Sequence, residues 1–474
     1  MLQKHISSEI ANSFEYTPTE SQKQLIEKLS VFISTPNIRQ IFILKGYAGT
    51  GKTSIISAMV KTLSIFKINC ELLAPTGRAA KVFSSFAHKK AYTIHKKIYR
   101  QQSSKDGFGT FVLNKNLHKD TFFLVDEASM ISNESYENSI FGSGRLLEDL
   151  LEYINEGNNC KLILIGDGAQ LPPVKLSISP ALDKDFFAFH NYQIIEHTLN
   201  DVVRQTLDSG ILYNATKIRN QIENKNENFP KIEIERFDDI ETIIGSEVVE
   251  KISNAYDKFG LENTTIICRS NKQANIYNNG IRSQILYHEE EISVGDYLMI
   301  VKNNYYWAEI LKLEEHGVTF IANGDTVKIR RVKNIEEIYG FRFANISIEL
   351  IDYDNIEIDV KILLDALQVN SASLTSEQNK ALFYGILEDY QDLKPKKKQY
   401  DAVKENPYFN ALQVKFAYAI TGHKSQGGQW KNAFIDHGYI PDNKIDAEFL
   451  RWLYTAFTRP TEKLQLVNFN KLFF

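Results

Sequence analysis

Directly after the apolar run QIFILK and before SIISAMV, the chain sets Gly46, Ala48, Gly49, Thr50, Gly51, Lys52, Thr53 and Ser54 in the string GYAGTGKTS. Glycines at these positions let the backbone curl so that its N–H groups converge on phosphate oxygens. A lysine at this spacing reaches the outer phosphates, and the hydroxyl beside it can meet Mg²⁺. With a strand pattern before it and a helix pattern after it, the string predicts a nucleoside triphosphate site. Hydrolysis needs a metal ligand and a group that orients water, and TFFLVDEAS ends an apolar run on adjacent carboxylates, Asp126 and Glu127. A third apolar run, CKLILIGD, leads into GDGAQLPPV, where Asp167 and Gln170 are candidates to touch metal, water or γ-phosphate from the next strand over. Two prolines stiffen that loop.

Elements that would position these groups follow from the periodicity. ELLAPTG, TFFLVDE and LILIGD are strand-like, and SQKQLIEKLSVFI and SGRLLEDLLEYI between them are helical, an alternation that predicts a parallel sheet covered on both faces. A second set, TTIICRSN, VKFAYAITGHKSQG and LQLVNF, predicts another α/β domain. Between its members lie GDYLMIVKNNYYWAEI, HGVTFIANGDTVKIRRV, ANISIELI and NIEIDVKILL, short alternating runs with Asn-Gly and Gly-Asp turns that read as an inserted antiparallel barrel. Tyr305, Tyr306 and Trp307 are expected in the barrel core, and DLKPKKKQYDAVKENPYF as a solvated exit.

At 474 residues the chain is too long for one core. The hydrophobic share of 43% and charged share of 24% are those of a soluble globular protein. No run is long enough for a membrane span and no secretory signal is visible, so a cytoplasmic protein without a membrane partner is expected. Cys70, Cys160 and Cys268 stand far apart in or beside apolar runs and read as buried thiols rather than zinc ligands. A net charge of −4 means that any nucleic-acid contact must be a local groove.

The ordered set GYAGTGKT, LVDEAS, GDGAQLPPV, VVRQ, TGHKSQGG and YTAFTR resembles the superfamily 1B DNA helicases of the RecD-like and Dda-like group, which carry a UvrD-type C-terminal helicase domain, over almost the whole chain. The resemblance implies two RecA-like P-loop parallel-sheet domains, a β-hairpin insertion (the pin) in the first and a small SH3-like β-barrel in the second. The expected boundaries are 1–200 for the first domain with the hairpin at about 96–118, 201–292 and 411–474 for the second, and 293–410 for the barrel. It implies ATP and Mg²⁺ as cofactors and 5′ to 3′ translocation on single-stranded DNA with duplex separation. Single-stranded DNA and single-strand/duplex junctions are the implied substrates, with replication, recombination or repair partners and a monomeric state as further expectations.

Carried over by position, Gln22 in TESQKQ resembles an adenine-reading glutamine, Lys52 and Thr53 the phosphate and Mg²⁺ ligands, and Asp126 and Glu127 the metal-holding and water-activating pair. Gln170 resembles the γ-phosphate sensor, Arg204 and Arg459 the two arginines that reach the γ-phosphate, and Gly427 a nucleotide contact. Pro75, Thr76 and Arg78 in APTGRAAK, with Thr93 and His95 in TIH, resemble the first domain's strand contacts; Thr421, His423 and Lys424 resemble those of the second. In YRQQSSKDGFGTFVLNKN, which resembles the pin, Phe108 or Phe111 is the candidate to stack on the first unpaired base, and a plain surface hairpin with one buried aromatic is the other reading. Gln429 stands where the family usually has Glu, and Pro460 where a small residue is usual. A Pif-type or RNA helicase of the same superfamily, or an ATP-gated nucleic-acid-binding switch that unwinds nothing, are the alternative readings of the same motifs.

Overall fold

The structure, a computed structural model, describes residues 2–36, 39–102, 110–134, 142–201, 208–316, 318, 320–351, 353–371, 373–441 and 444–474. Its first part is built on β1 (Gln40–Gly46), β2 (Asn69–Ala74) and β3 (Ala91–Thr93), a hairpin of β4 (Tyr99–Gln102) and β5 (Thr110–Leu113), then β6 (Thr121–Val125), β7 (Lys161–Gly166) and β8 (Gln193–Leu199). Excluding the hairpin, these strands pair in parallel in the order β3-β2-β6-β7-β1-β8. The strands are apolar along nearly their whole length because both faces are covered. Phe42 and Leu44 of β1 pack with Ile55, Met59 and Leu63 of the helix Lys52–Ile65. Ile41 and Ile43 face the other way, toward Leu147, Leu150 and Ile154 of the helix Leu146–Glu156.

A second parallel sheet contains β9 (Ile240–Ile243) and β10 (Thr264–Cys268). The chain then enters a closed barrel of β11 (Tyr297–Ile300), β12 (Thr326–Ile338), β13 (Phe341–Leu350), β14 (Ile356–Leu363) and β15 (Leu412–Phe416), and returns through β16 (Ala419–Thr421), β17 (Trp430–Asp436) and β18 (Pro460–Val467). The second sheet runs β16-β10-β17-β18-β9. The run VKFAYAIT therefore serves two sheets. Val414 pairs with β11 in the barrel, and after a two-residue link, Ala417 and Tyr418, the backbone joins β10 through Ala419. The barrel thus extends past the boundary expected at 410.

The barrel's hairpin turns are not where the Asn-Gly and Gly-Asp signals point. Tyr339 and Gly340 turn β12 into β13, and Asp354 and Asn355 turn β13 into β14, all with positive φ. Asn323–Gly324 and Gly295–Asp296 instead precede β12 and β11. One buried carboxylate pins the barrel to the second sheet. Asp296 accepts from Arg282 Nε at 3.0 Å, from the Tyr418 hydroxyl at 2.8 Å and from the Ser293 N–H at 2.7 Å. Arg282 belongs to the helix Asn271–Gln284 beside β10, and Tyr418 stands where the chain leaves the barrel, so a single group fastens entry and exit.

The aromatic trio divides. Tyr306 and Trp307 lie in a short helix, Tyr306–Ile310, and Trp307 packs against the barrel core. Tyr305 turns away from that core to meet Phe111 of the hairpin, with ring centroids 4.4 Å apart, and Phe320 at 5.1 Å. The Lys-rich exit is ordered in part as the helix Lys396–Lys404, whose Val403 is buried against Phe343 and Leu382. All three cysteines are buried. Among the described residues no helix is long and apolar enough to cross a membrane.

Candidate nucleotide site and interdomain cleft

The phosphate loop closes β1 and opens the helix Lys52–Ile65, whose N-cap, Gly51, has a φ of +79°; Gly49 has a φ of +74°. Side chains other than glycine resist that left-handed backbone, which is what turns successive N–H groups to one side. Lys52 Nζ is held by the carbonyl of Gly46 and, at 3.1 Å, that of Tyr47. Two strands along the sheet from β1, β6 ends on Asp126, and between them β7 ends beside Asp167. The expectation that Asp167 and Gln170 arrive from the next strand over matches this order.

A cavity of ≈ 670 Å³ opens at these strand ends. The first domain lines it with Tyr47, Ala48, Gly49, Gly51, Lys52, Thr53, Asp126, Glu127, Asp167 and Gln170. The second lines it with Ser209, Ile211, Leu212, Gln429, Thr458, Arg459 and Pro460. Burial and the adjacent Glu127 carboxylate push Asp126 up to about 7, partly opposed by the Glu127 N–H and by Lys52. That N–H donates to Asp126 Oδ1 at 2.9 Å. Glu127 itself sits at φ +52°, a left-handed conformation that is costly away from glycine and that aims neighbouring carboxylates differently. Across the cavity, Arg459 is only 5% exposed. It donates to Thr455 O at 3.0 Å, Gly428 O at 3.2 Å and Thr458 Oγ1 at 2.9 Å. Pro460 opens β18, the strand position where a missing N–H matters least.

Not every expected residue reaches this cavity. Gly46, Thr50 and Ser54 stay off its wall. Gln22 is corrected more sharply, because it is 2% exposed and both ends of its amide are engaged. Its Oε1 accepts from the Thr19 N–H at 2.9 Å in a capping box, and its Nε2 donates to Thr50 O at 3.0 Å, so it braces the phosphate loop from behind. Gly427 is corrected as well. A Cβ there would lie 2.8 Å from Ala79 Cβ, which makes it a close-approach point between the two domains. Arg204 and Phe108 lie outside the described residues.

The expected strand-contacting groups gather where the two α/β domains and the barrel meet. Pro75 follows β2 and precedes Thr76, which caps the helix Gly77–Ala87 by accepting from the Ala79 N–H at 3.2 Å. Arg78 lies over the Trp430 ring at 3.9 Å. Thr93 caps the short helix Ile94–Ile98, accepting from the Lys96 N–H at 3.2 Å. His95 is pushed down to about 4 by burial among Tyr99 and Phe320, so it is a neutral packing group rather than a phosphate-binding cation. Thr421 makes no capping bond through its side chain. Burial pushes His423 down, and it brings Lys424 to about 8 while that ammonium donates to Asn323 Oδ1 of the barrel at 3.1 Å. Phe111 is corrected too: it is buried at 7% exposure against Tyr305, and as placed it cannot stack on a base.

Reasoning from sequence missed Tyr47, which lines the cavity, and Ser85 and Phe86, brought to it by the helix Gly77–Ala87. It also missed Arg451, Tyr454 and Thr455, although YTAFTR contains two of them. Their signal was the i, i+3, i+4 spacing within one helix ahead of Arg459.

Two parallel α/β sheets with a phosphate loop on one, a carboxylate pair two strands away, and an arginine from the other sheet facing both define a two-domain P-loop nucleotide-binding enzyme. Two family models match the chain, one described as an AAA domain over residues 18–228 and one as a UvrD-like helicase C-terminal domain over 416–467. An uncharacterized protein of Acanthamoeba polyphaga mimivirus is 27% identical, covering 94% of this chain and 98% of its own. The RecBCD enzyme subunit RecD of Buchnera aphidicola is 25% identical over 99% of this chain and 76% of its own. The ATP-dependent RecD2 DNA helicase of Deinococcus radiodurans is 26% identical over 33% of this chain and 19% of its own length. A solved Pif1 helicase from Bacteroides, in complex with ADP-AlF3 and ssDNA, aligns over 97% of this chain and 94% of its own at 15% identity and a TM-score of 0.47. The two family models and the RecD and RecD2 relatives support a superfamily 1, RecD-like, ATP-dependent helicase.

Proposed function

We propose that this protein translocates 5′ to 3′ along single-stranded DNA and separates duplex DNA, driven by ATP hydrolysis in the cleft between its α/β domains. The observation that carries the reading is the two-sided cavity, with the phosphate loop, Asp126, Glu127 and Gln170 on one wall and Arg459 on the other. Lys52 and the loop N–H groups hold the phosphates, Glu127 orients the attacking water, Gln170 senses the γ-phosphate, and Arg459 meets the charge that develops on it. Arg204 is the second arginine of this proposal. Oxygen ligands at Thr53 and Asp126 suit Mg²⁺, which binds through few protein groups plus nucleotide oxygens and water. Mg²⁺ there would neutralise phosphate charge. Because the γ-phosphate binds groups from both domains, its presence favours the closed cleft and its loss the open one, and alternation of the two moves the domains along a strand.

Thr76, Arg78, Thr93, Thr421 and Lys424 are the proposed backbone contacts, a set of hydroxyls and few cations suited to binding without sequence preference. The test is unwinding of duplexes bearing a 5′ tail, a 3′ tail or none, in DNA and RNA versions, with hydrolysis followed in parallel. Unwinding of 5′-tailed DNA alone is the expected result. Stimulated hydrolysis without unwinding of any substrate would instead indicate an ATP-gated binding switch.

A further inference from the structure

The helix Ala447–Phe457 lays one side on the first domain, where apolar side chains pack with Ala169 and Leu171 and three polar groups make hydrogen bonds. Arg451 donates to Gly168 O and, at 3.3 Å, to Gln170 O. The Tyr454 hydroxyl accepts from the Ala48 N–H of the phosphate loop at 3.0 Å and donates to Asp167 Oδ2 at 2.7 Å. Thr455 Oγ1 accepts from the Leu171 N–H at 2.9 Å, and the carbonyl of the same residue accepts from Arg459 Nε at 3.0 Å. Tyr454 is 1% exposed, Asp167 2% and Thr455 0%, so these bonds are made out of water, where orientation is strictly held. Asp167 in turn accepts from the Ala169 N–H at 2.9 Å, which shapes the loop that carries Gln170.

We infer that Tyr454 and Thr455 are positioning residues for the hydrolysis proposed above: Tyr454 orients the phosphate loop and the Asp167 loop from the second domain, and Thr455 ties the Gln170 loop to the backbone that aims Arg459. One helix therefore addresses both walls of the cleft. A rotation of that helix moves the Ala48 N–H, Gln170 and Arg459 together, which links the cleft's closure to the assembly of its catalytic groups. Burial and Asp167 hold the Tyr454 phenol far above its ordinary range, so it stays protonated and both of its bonds persist at neutral pH. The inference rests on the ATPase reading of the site.

The experiment measures steady-state ATP hydrolysis against ATP concentration, with saturating oligo-dT and without, together with thermal unfolding. Tyr454→Phe keeps the ring and removes both bonds. The expected result is a fall in oligo-dT-stimulated kcat of about 10²-fold, the scale of a small misplacement of reacting groups, with KM little changed and the melting curve near that of the parent. Thr455→Val is expected to act in the same direction and Thr455→Ser to restore the rate. A Tyr454→Phe protein that is folded and stimulated like the parent overturns the inference. If Tyr454→Phe does not fold, Thr455→Val decides, and a rate equal to the parent's overturns it. A parent protein with no oligo-dT-stimulated hydrolysis overturns the ATPase reading itself, an outcome distinct from a stimulated parent with an unaffected variant.

Discussion

Lys52 and Gln22 stand within a few residues' contact of the same loop, yet they call for different outcomes. Lys52→Ala removes the ammonium proposed to hold the phosphates, and is expected to abolish ATP turnover while DNA affinity, measured by anisotropy with a labelled oligonucleotide, stays close to the parent's. Retained turnover in a clean preparation would remove the phosphate-loop assignment. Gln22→Ala breaks a capping box and frees Thr50 O, and is expected to cost about 1 kcal/mol in stability and to raise KM for ATP and GTP alike. Selective loss of ATP preference over GTP would return Gln22 to the adenine-reading role that its sequence position suggested. The structure favours the bracing role because both ends of the amide already have partners.

At the scale of elements, one contact of the hairpin and one of the barrel can each be removed singly. Phe111→Ala takes away the ring that Tyr305 packs on, and for a buried phenylalanine the expected cost is about 3–5 kcal/mol. Much of it would appear as local loosening of the hairpin, read by hydrogen exchange over β4 and β5. Unwinding should then fall more than stimulated hydrolysis, and equal losses would argue that the hairpin is only structural. Asp296→Ala strands Arg282 without its carboxylate in a buried site, with an expected cost of about 3–5 kcal/mol. Its signature would be early loss of the barrel on heating while β1 and its neighbours hold. Simultaneous melting of all parts would show that the carboxylate does not anchor the barrel separately.

For the whole molecule the decisive group is the arginine on the cleft's second wall. Arg459→Ala leaves the phosphate loop and both carboxylates in place, so nucleotide affinity should hold while kcat falls by about 10³-fold or more, the usual worth of an arginine at a transferring phosphoryl group. Equal losses in affinity and rate would instead make Arg459 an ordinary binding residue. The phosphate loop, the apolar strands and the adjacent carboxylates were legible in the sequence because each is a local matter. Eight consecutive residues set where their own N–H groups point, and alternation along a strand sets its faces. The partners of Gln22, Gly427 and Phe111 were not legible for the opposite reason, since their motifs mark positions but not which way a side chain turns once neighbours compete for it. Tyr454 stands 406 positions from Ala48, and their hydrogen bond follows from how one domain's helix seats on the other's loops. The sequence by itself therefore determined that a nucleotide site exists and which strands carry it. Only tertiary packing decided how the second domain's helix meets the first domain's loops, because partners distant in the chain are brought together by burial, and no short window of residues encodes that.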